Sequence, residues 1–264
     1  MGTKTLFTIV IPCNQEEDLL IDTLSTLANQ SFGEFEVILV DAHTSDEVLD
    51  KARKMMQGRL RVYTMMYYHY YSMLNKGAKL ARGKYVLFFR PGNLMTTLYA
   101  FDNLKKVIMA SNEPEVLLSA AVAFDENLEQ RAIIQPPLSK KKLMAGVLQT
   151  PLASRAFRRD YFLEIRGFNE AYWVRSGYDI ACRYALDPKA RVVGIGRVIN
   201  EHHTAFEIDA KYVGFHAETL KIIYKHFGLK CVFSYLLTIN VLSFFRAGRE
   251  NVGFVGSEQS FIEA

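Results

Sequence analysis

Through the first ninety residues, short apolar runs alternate with segments whose leucines and alanines recur at helical spacing. Few folds accommodate that alternation. Residues 5–11 (TLFTIVI), 35–40 (FEVILV) and 85–89 (YVLFF) read as strands buried on both faces, and 60–63 (LRVY) as a weaker one. Leu20, Leu24 and Leu27, then Leu74, Ala78 and Ala81, are spaced for helices, the latter stopped by Gly83. Asn14 with Glu17, and Thr44 with Glu47, have capping-box spacing and are expected to open two helices. Strands and helices in this order predict an α/β chain with a mostly parallel sheet flanked by helices.

The second half is less regular. Residues 116–124 and 192–199 read as strands, 135–142 as a Pro- and Lys-rich loop, and 179–185 as a helix ending before Asp187-Pro188. Ile208, Tyr212, Phe215 and Ile222 mark a long amphipathic helix ended by Gly228. The final apolar stretch, residues 231–245, contains Ser234, Thr238, Asn240 and Ser243. It falls short of the roughly 20 residues needed to span a bilayer. We therefore expect a main domain over 1–205 and a C-terminal helical extension over 206–264. That extension either packs on the domain or lies on a membrane surface, since Lys221, Lys225, His226, Lys230, Arg246 and Arg249 flank its apolar part.

Half of the 264 residues are hydrophobic and 23% are charged, which excludes a disordered chain. Cys13, Cys182 and Cys231 stand far apart with no metal-binding spacing, fitting a reducing, cytoplasmic setting. A formal net charge of +4 permits an anionic substrate or the inner face of a cell membrane without demanding either. No nucleic-acid partner is expected.

Ligands of open α/β sheets bind at the carboxyl ends of the strands. Three polar segments fall there: Cys13 to Glu16, Asp41 to Asp46, and Arg90 to Asn93. On spacing alone, Asp41 and Thr44 serve equally as ligand contacts or as turn and capping residues.

Three motifs carry a resemblance. TIVIPCNQEEDLL resembles the opening of family-2 glycosyltransferases, an apolar strand followed by Pro-Thr-Tyr-Asn-Glu-Glu. VILVDAHTSD resembles their second strand with its Val-Asp-Asp-Gly-Ser-Thr-Asp ending, and LNKGAKLARGKYVLFF their Asn-Lys-Gly and Ala-Arg-Gly run. The resemblance implies a GT-A, Rossmann-like fold. It also implies inverting transfer of a sugar from a nucleotide-sugar, usually a UDP-sugar, to an acceptor hydroxyl of a glycan or lipid-linked glycoconjugate in cell-surface polysaccharide synthesis. Carried over, Pro12, Cys13, Asn14 and Glu16 would line the nucleotide site, Asp41 would contact the base, and Asn75 and Lys76 would lie near the nucleotide or its phosphates. Cys13 stands where the family has Thr, and Asn14 where it has Tyr.

Two positions depart further. The family's Asp-x-Asp signature, which holds a divalent cation, corresponds to Phe89-Arg90-Pro91-Gly92-Asn93, where no carboxylate remains. Arg90 either neutralises the diphosphate directly or is a solvated loop residue. Any Mn²⁺ or Mg²⁺ would be held weakly, with Asn93 and His203 as the candidate ligands and His202 on the opposite strand face. Arg166-Gly167-Phe168-Asn169-Glu170 is similar to the segment preceding the family's catalytic base. Ser176-Gly177-Tyr178-Asp179 then places Gly177 at the base position, leaving Asp179 as the candidate base or as a helix-start residue. The tyrosines at 63, 67, 68, 70 and 71 are read as helix packing rather than a sugar platform. A transferase and a degenerate, nucleotide-binding relative both remain open.

Overall fold

The computed structural model describes residues 5–124, 130–134, 138–148, 150–203 and 213–238. Four strands come first, β1 (Phe7–Cys13), β2 (Phe35–Asp41), β3 (Leu60–Thr64) and β4 (Tyr85–Phe88), each separated by a helix: α1 (Glu17–Ala28), α2 (Asp46–Met56) and α3 (Tyr70–Leu80). After α4 (Ala100–Ala110) come β5 (Val116–Phe124), β6 (Gln130–Ile134), α5 (Lys140–Met144), β7 (Arg155–Arg158), α6 (Arg159–Glu164), α7 (Ser176–Leu186) and β8 (Val192–His203). Helices α8 (Val213–Phe227) and α9 (Leu229–Thr238) complete the described chain.

Among the described residues the sheet has eight strands, in the order β3-β2-β1-β4-β7-β5-β6, with β8 on the other edge of β5. β1 runs parallel to β2 and β4, β2 to β3, and β5 to β8. β7 is antiparallel to both β4 and β5, and β6 to β5. The sheet is thus mixed and mostly parallel. Sequence patterning misses β6 and β7 because each is short, and β7 is one of the chain's least apolar strands (RAFR). Its Arg155 is fully buried, and its guanidinium donates to the carbonyls of Thr150 and Gly177.

Local details correct several expectations. β1 runs through Pro12 to Cys13 rather than stopping before the proline. Glu16, not Asn14, stands at the start of α1, and Ser45, not Thr44, at the start of α2, neither with a side-chain cap. Gln15 at φ 66 explains the first case, because the chain turns left-handed just after Asn14 and aims that side chain elsewhere. The loop expected over 135–142 is already helical from Lys140. Of the long amphipathic helix, Ile208 and Tyr212 lie outside the described residues, but Gly228 does end α8, at φ 79.

The apolar residues pack on both sides of the sheet. One cluster joins Ile9, Ile11, Leu20, Leu24 and Leu39, while the other joins Val10, Val86, Phe88 and Phe162 with Ile222 and Ile223 of α8. Among the described residues no helix is long and apolar enough to cross a membrane.

Helix α3 lies so close to β1 that a Cβ at Gly77 would stand 2.2 Å from Val10 Cγ1. Gly77→Ala is therefore expected to destabilise the fold by about 1–3 kcal/mol through overpacking. Shortening Val10 to Ala should cost less in that background than in the wild type, a coupling that a denaturant double-mutant cycle measures.

Candidate functional site

The register of β1 and β2 sets Cys13 directly beside Asp41, both buried. Asp41 spends one carboxylate oxygen on the Thr44 N–H (3.1 Å), and the Thr44 hydroxyl donates to Cys13 Sγ (3.4 Å). Burial pushes the Cys13 thiol up to about 11, so it stays protonated and serves as a packing group. Asn14 is 6% exposed, and its Oδ1 accepts a hydrogen bond from Nδ1 of the exposed His43 at 2.8 Å. Because an amide oxygen only accepts, Nδ1 carries the proton in this contact. Pro12, Cys13, Asn14, Asp41 and Thr44 thus gather as a buried group at the carboxyl ends of β1 and β2, with the exposed His43 imidazole bonded to Asn14.

Arg90 follows β4 on the same edge. It is partly buried, and its guanidinium carbon lies 4.3 Å from the centroid of the Tyr70 ring, to which it also hydrogen-bonds. The solvated-loop reading is thereby corrected: Arg90 is held against an aromatic wall. Burial opposes its charge, but Tyr70, Tyr68 and Tyr71 outweigh that and raise its pKa above the ordinary arginine range. Glu16 lies within its field. Burial raises the Glu16 carboxyl, while its hydrogen bond from the Asn14 N–H and the Arg90 charge oppose the rise. Tyr71 is buried and its hydroxyl is pushed up to about 12 by that burial. The tyrosines at 68, 70 and 71 thus do more than pack α3, since they set the environment of Arg90.

The residues in this loop do not fit a divalent cation. Asn93 is buried, and its Oδ1 already accepts the Arg90 N–H at 2.7 Å, closing the turn with the Asn93 N–H to Arg90 carbonyl bond. Its neutral oxygen is committed, and the neighbouring charge is positive. Among the described residues no three His, Cys, Asp or Glu side chains gather as a metal-binding group. The His203 backbone ends β8 opposite Phe124, and its side chain lies outside the described structure.

Asp179, in α7, borders a cavity that Asn75, Glu170, Arg183 and Lys225 also line. It is fully buried between α7 and α8, where its carboxylate bonds Arg183 Nε (2.9 Å), His226 Nε2 (2.9 Å) and Lys225 Nζ (3.3 Å). Burial alone would raise its carboxyl, but His226, Arg183 and Lys225 hold it below the ordinary range. In this structure the carboxylate is the hub of an ion cluster with three basic partners. Gly177 leaves its own position open: a Cβ there would meet only the Tyr71 hydroxyl, at 3.5 Å.

Asn75 is buried, and its side chain is spent on the Phe168 N–H (2.9 Å), the Phe168 carbonyl (2.9 Å) and Glu170 (2.8 Å). It braces the segment after α6, and Lys76 sits on the exposed side of α3. Three participants escaped the sequence reading. His43 was readable, because it stands where the resembling motif has Gly. Trp173 and Glu218 had no local signal, since their roles depend on contacts between distant elements. The Glu218 carboxylate of α8 accepts the N–H groups of Trp173 (2.8 Å), Val174 (3.1 Å) and Arg175 (2.8 Å), pinning the chain just before α7.

The arrangement agrees with what the chain is similar to. Residues 8–89 match the family model described as glycosyl transferase family 2. Over that stretch the chain is similar to the family-2 glycosyltransferases. PGL/p-HBAD biosynthesis glycosyltransferases of Mycobacterium tuberculosis and Mycobacterium bovis are 31% identical over 118 residues, which is 43% of this chain and 45% of theirs. The chain thus spans about half the length of the curated relatives it matches. In fold it resembles S. aureus TarS solved in complex with UDP (TM-score 0.63, 17% identity, 84% of this chain and 65% of that one). It also resembles the mannosyltransferase PcManGT from Pyrobaculum calidifontis, solved with GDP-Man and Mn²⁺ (TM-score 0.60, 14% identity, 95% and 75%). The chain thus has a GT-A-like fold, and Arg90 follows directly on the residues that match the family model.

Because the Asp179 carboxyl is depressed in the folded state, its stabilisation is present above the ordinary carboxylate pKa and is lost as pH falls through the folded value. Asp179→Asn is expected to cost about 3 kcal/mol at pH 7, from stripping a buried ion cluster of its acid. The gap from the wild type should close as unfolding is followed into acid.

Proposed function

We propose that this chain transfers a glycosyl group from a nucleoside diphosphate sugar, of which a UDP-sugar is the first to test, to an acceptor hydroxyl of a glycan or lipid-linked glycoconjugate. The base and ribose lie over the floor made by Pro12, Cys13, Asn14 and Asp41. The diphosphate turns toward Arg90, and the acceptor enters from the side of α7. The observation that carries this reading is Arg90 itself. A diphosphate gains charge as the glycosidic bond breaks, and that charge must be met in the transition state. Here a permanent cation, oriented by Tyr70 and beside Glu16, occupies the loop where the family's metal-binding carboxylates would stand. A guanidinium can grip two phosphate oxygens as a planar fork. Transfer on this reading has no strict need for Mn²⁺ or Mg²⁺.

A second reading, nucleotide binding without transfer, draws on Gly177. No carboxylate stands at the expected base position, and Asp179 is bound up in its ion cluster. Both readings keep the donor floor. For the extension, α9 exposes Leu229, Phe233, Leu236 and Leu237 beside Lys230, the composition of a helix that rests on an anionic membrane surface.

Turnover of a panel of nucleotide-sugars in EDTA and in Mn²⁺ tests the proposal. Arg90→Ala should cost about 2–4 kcal/mol of transition-state stabilisation, as for one preorganised electrostatic donor. Arg90→Lys should recover only part, lacking the fork. Strict Mn²⁺ dependence with an unimpaired Arg90→Ala enzyme overturns it, and no turnover with any donor favours the second reading. Under both, Asp41→Ala should weaken nucleoside diphosphate binding by about 1.5–3 kcal/mol by calorimetry.

A further inference from the structure

Trp173 is the chain's single tryptophan, and the residue is 56% exposed on the loop between α6 and α7. Its backbone is fixed from below by Glu218, so the loop is pinned while the indole is left in water. The ring lies against His69, with centroids 4.4 Å apart in an edge-to-face contact. His69 Nδ1 is bound to the Ser72 N–H (3.2 Å) and lies 2.9 Å from the Ser72 hydroxyl. That hydroxyl reaches Glu170 Oε2 at 2.6 Å. An exposed apolar face therefore stands beside a row of polar groups whose positions are already set by mutual hydrogen bonds.

The place matters as much as the composition. The Tyr71 hydroxyl donates to the Val174 carbonyl (2.9 Å) and accepts the Gly177 N–H (3.2 Å). Tyr71 packs edge-on against Tyr70 at 5.0 Å, and Tyr70 carries Arg90. One chain of contacts thus runs from the group that meets the diphosphate to the loop that presents Trp173.

We propose that Trp173, with His69, Ser72 and Glu170, forms the acceptor subsite, a stacking platform for one pyranose ring of a carbohydrate acceptor. A pyranose has an apolar C–H face and a rim of hydroxyls. The indole covers the first, and the imidazole, hydroxyl and carboxylate bond the second. A lipid surface would meet the indole equally well but has no use for the ordered polar row beside it. The assignment rests on the transferase reading above for its role, though not for the binding itself.

The single indole makes the test direct. In the full chain saturated with UDP, emission of Trp173 is followed while methyl pyranosides and disaccharides of glucose, galactose, mannose and rhamnose are titrated. A saturable change is expected with at least one sugar. Where transfer is measurable, Trp173→Ala should raise the acceptor KM roughly five- to tenfold, the size of one lost aromatic contact. Trp173→Phe should restore part of that loss, and the affinity for UDP should stay unchanged in both variants. The ring is exposed, so its removal leaves the core intact. No saturable change with any sugar, or an acceptor KM that Trp173→Ala leaves alone, overturns the proposal. So does a blue shift with phosphatidylglycerol vesicles in the absence of any sugar response. A sugar response without nucleotide binding would sink the transferase reading and leave the subsite standing.

Discussion

The parallel register of β1 between β2 and β4 is the constraint on which everything else at the cleft hangs. It is locked at both ends. At the start of the strand, the Thr8 hydroxyl donates to Glu36 and accepts the Gly83 N–H, while Glu36 also takes the Arg82 N–H and Arg61. A Cβ at Gly83 would stand 2.6 Å from the Phe7 backbone, so this glycine is required by close approach; α3 itself has already ended at Leu80, with Ala81 after it. At the far end, Cys13, Thr44 and Asp41 tie the two strands together. A slip of one residue would exchange the two buried faces of β1 and pull Cys13 away from Asp41.

Given that register, the replacements near the cleft form one electrostatic change. A loop that holds a divalent cation must carry anionic oxygens. A loop that carries its own cation must not, or the guanidinium would be neutralised by its neighbours. Arg90, Pro91, Gly92 and Asn93 meet the second condition, with Asn93 used to shape the turn. Tyr70 gives the guanidinium a face to lie on without supplying a full counter-charge. Glu16 is the nearby acid, and burial shifts it toward its neutral form. Asn14 stands where the resembling motif has Tyr and His43 where it has Gly, and the two side chains hydrogen-bond each other.

The strands and helices of the first half were legible because each is a continuous run whose period declares its type. Even there the caps at Asn14 and Thr44 were misread, since a capping side chain is recognised by spacing while its aim depends on the backbone of the next residue. The left-handed Gln15 is invisible to a spacing rule. In the second half, β7 sits antiparallel in the middle of the sheet with a buried arginine, a combination no hydropathy pattern announces. The positions of Asp41 and Arg90 at the strand ends were legible, because continuous buried runs end there. The contacts of Trp173 and Glu218 were not, since they exist only once α7 and α8 meet.

That meeting also decides what α8 and α9 are to the domain. α8 contributes Ile222 and Ile223 to the core, both fully buried, and α9 adds Tyr235, whose hydroxyl lies 2.9 Å from His216. More telling is the polar traffic between the elements. Glu218 satisfies three N–H groups ahead of α7, and Lys225 and His226 surround Asp179 inside it. Without α8, three backbone donors and a buried carboxylate would lose their partners, each a cost of the kind a folded chain does not leave standing. The described part of the extension is therefore integral to the packing around α7: it fixes the loop that carries Trp173 and supplies Lys225 and His226 to Asp179.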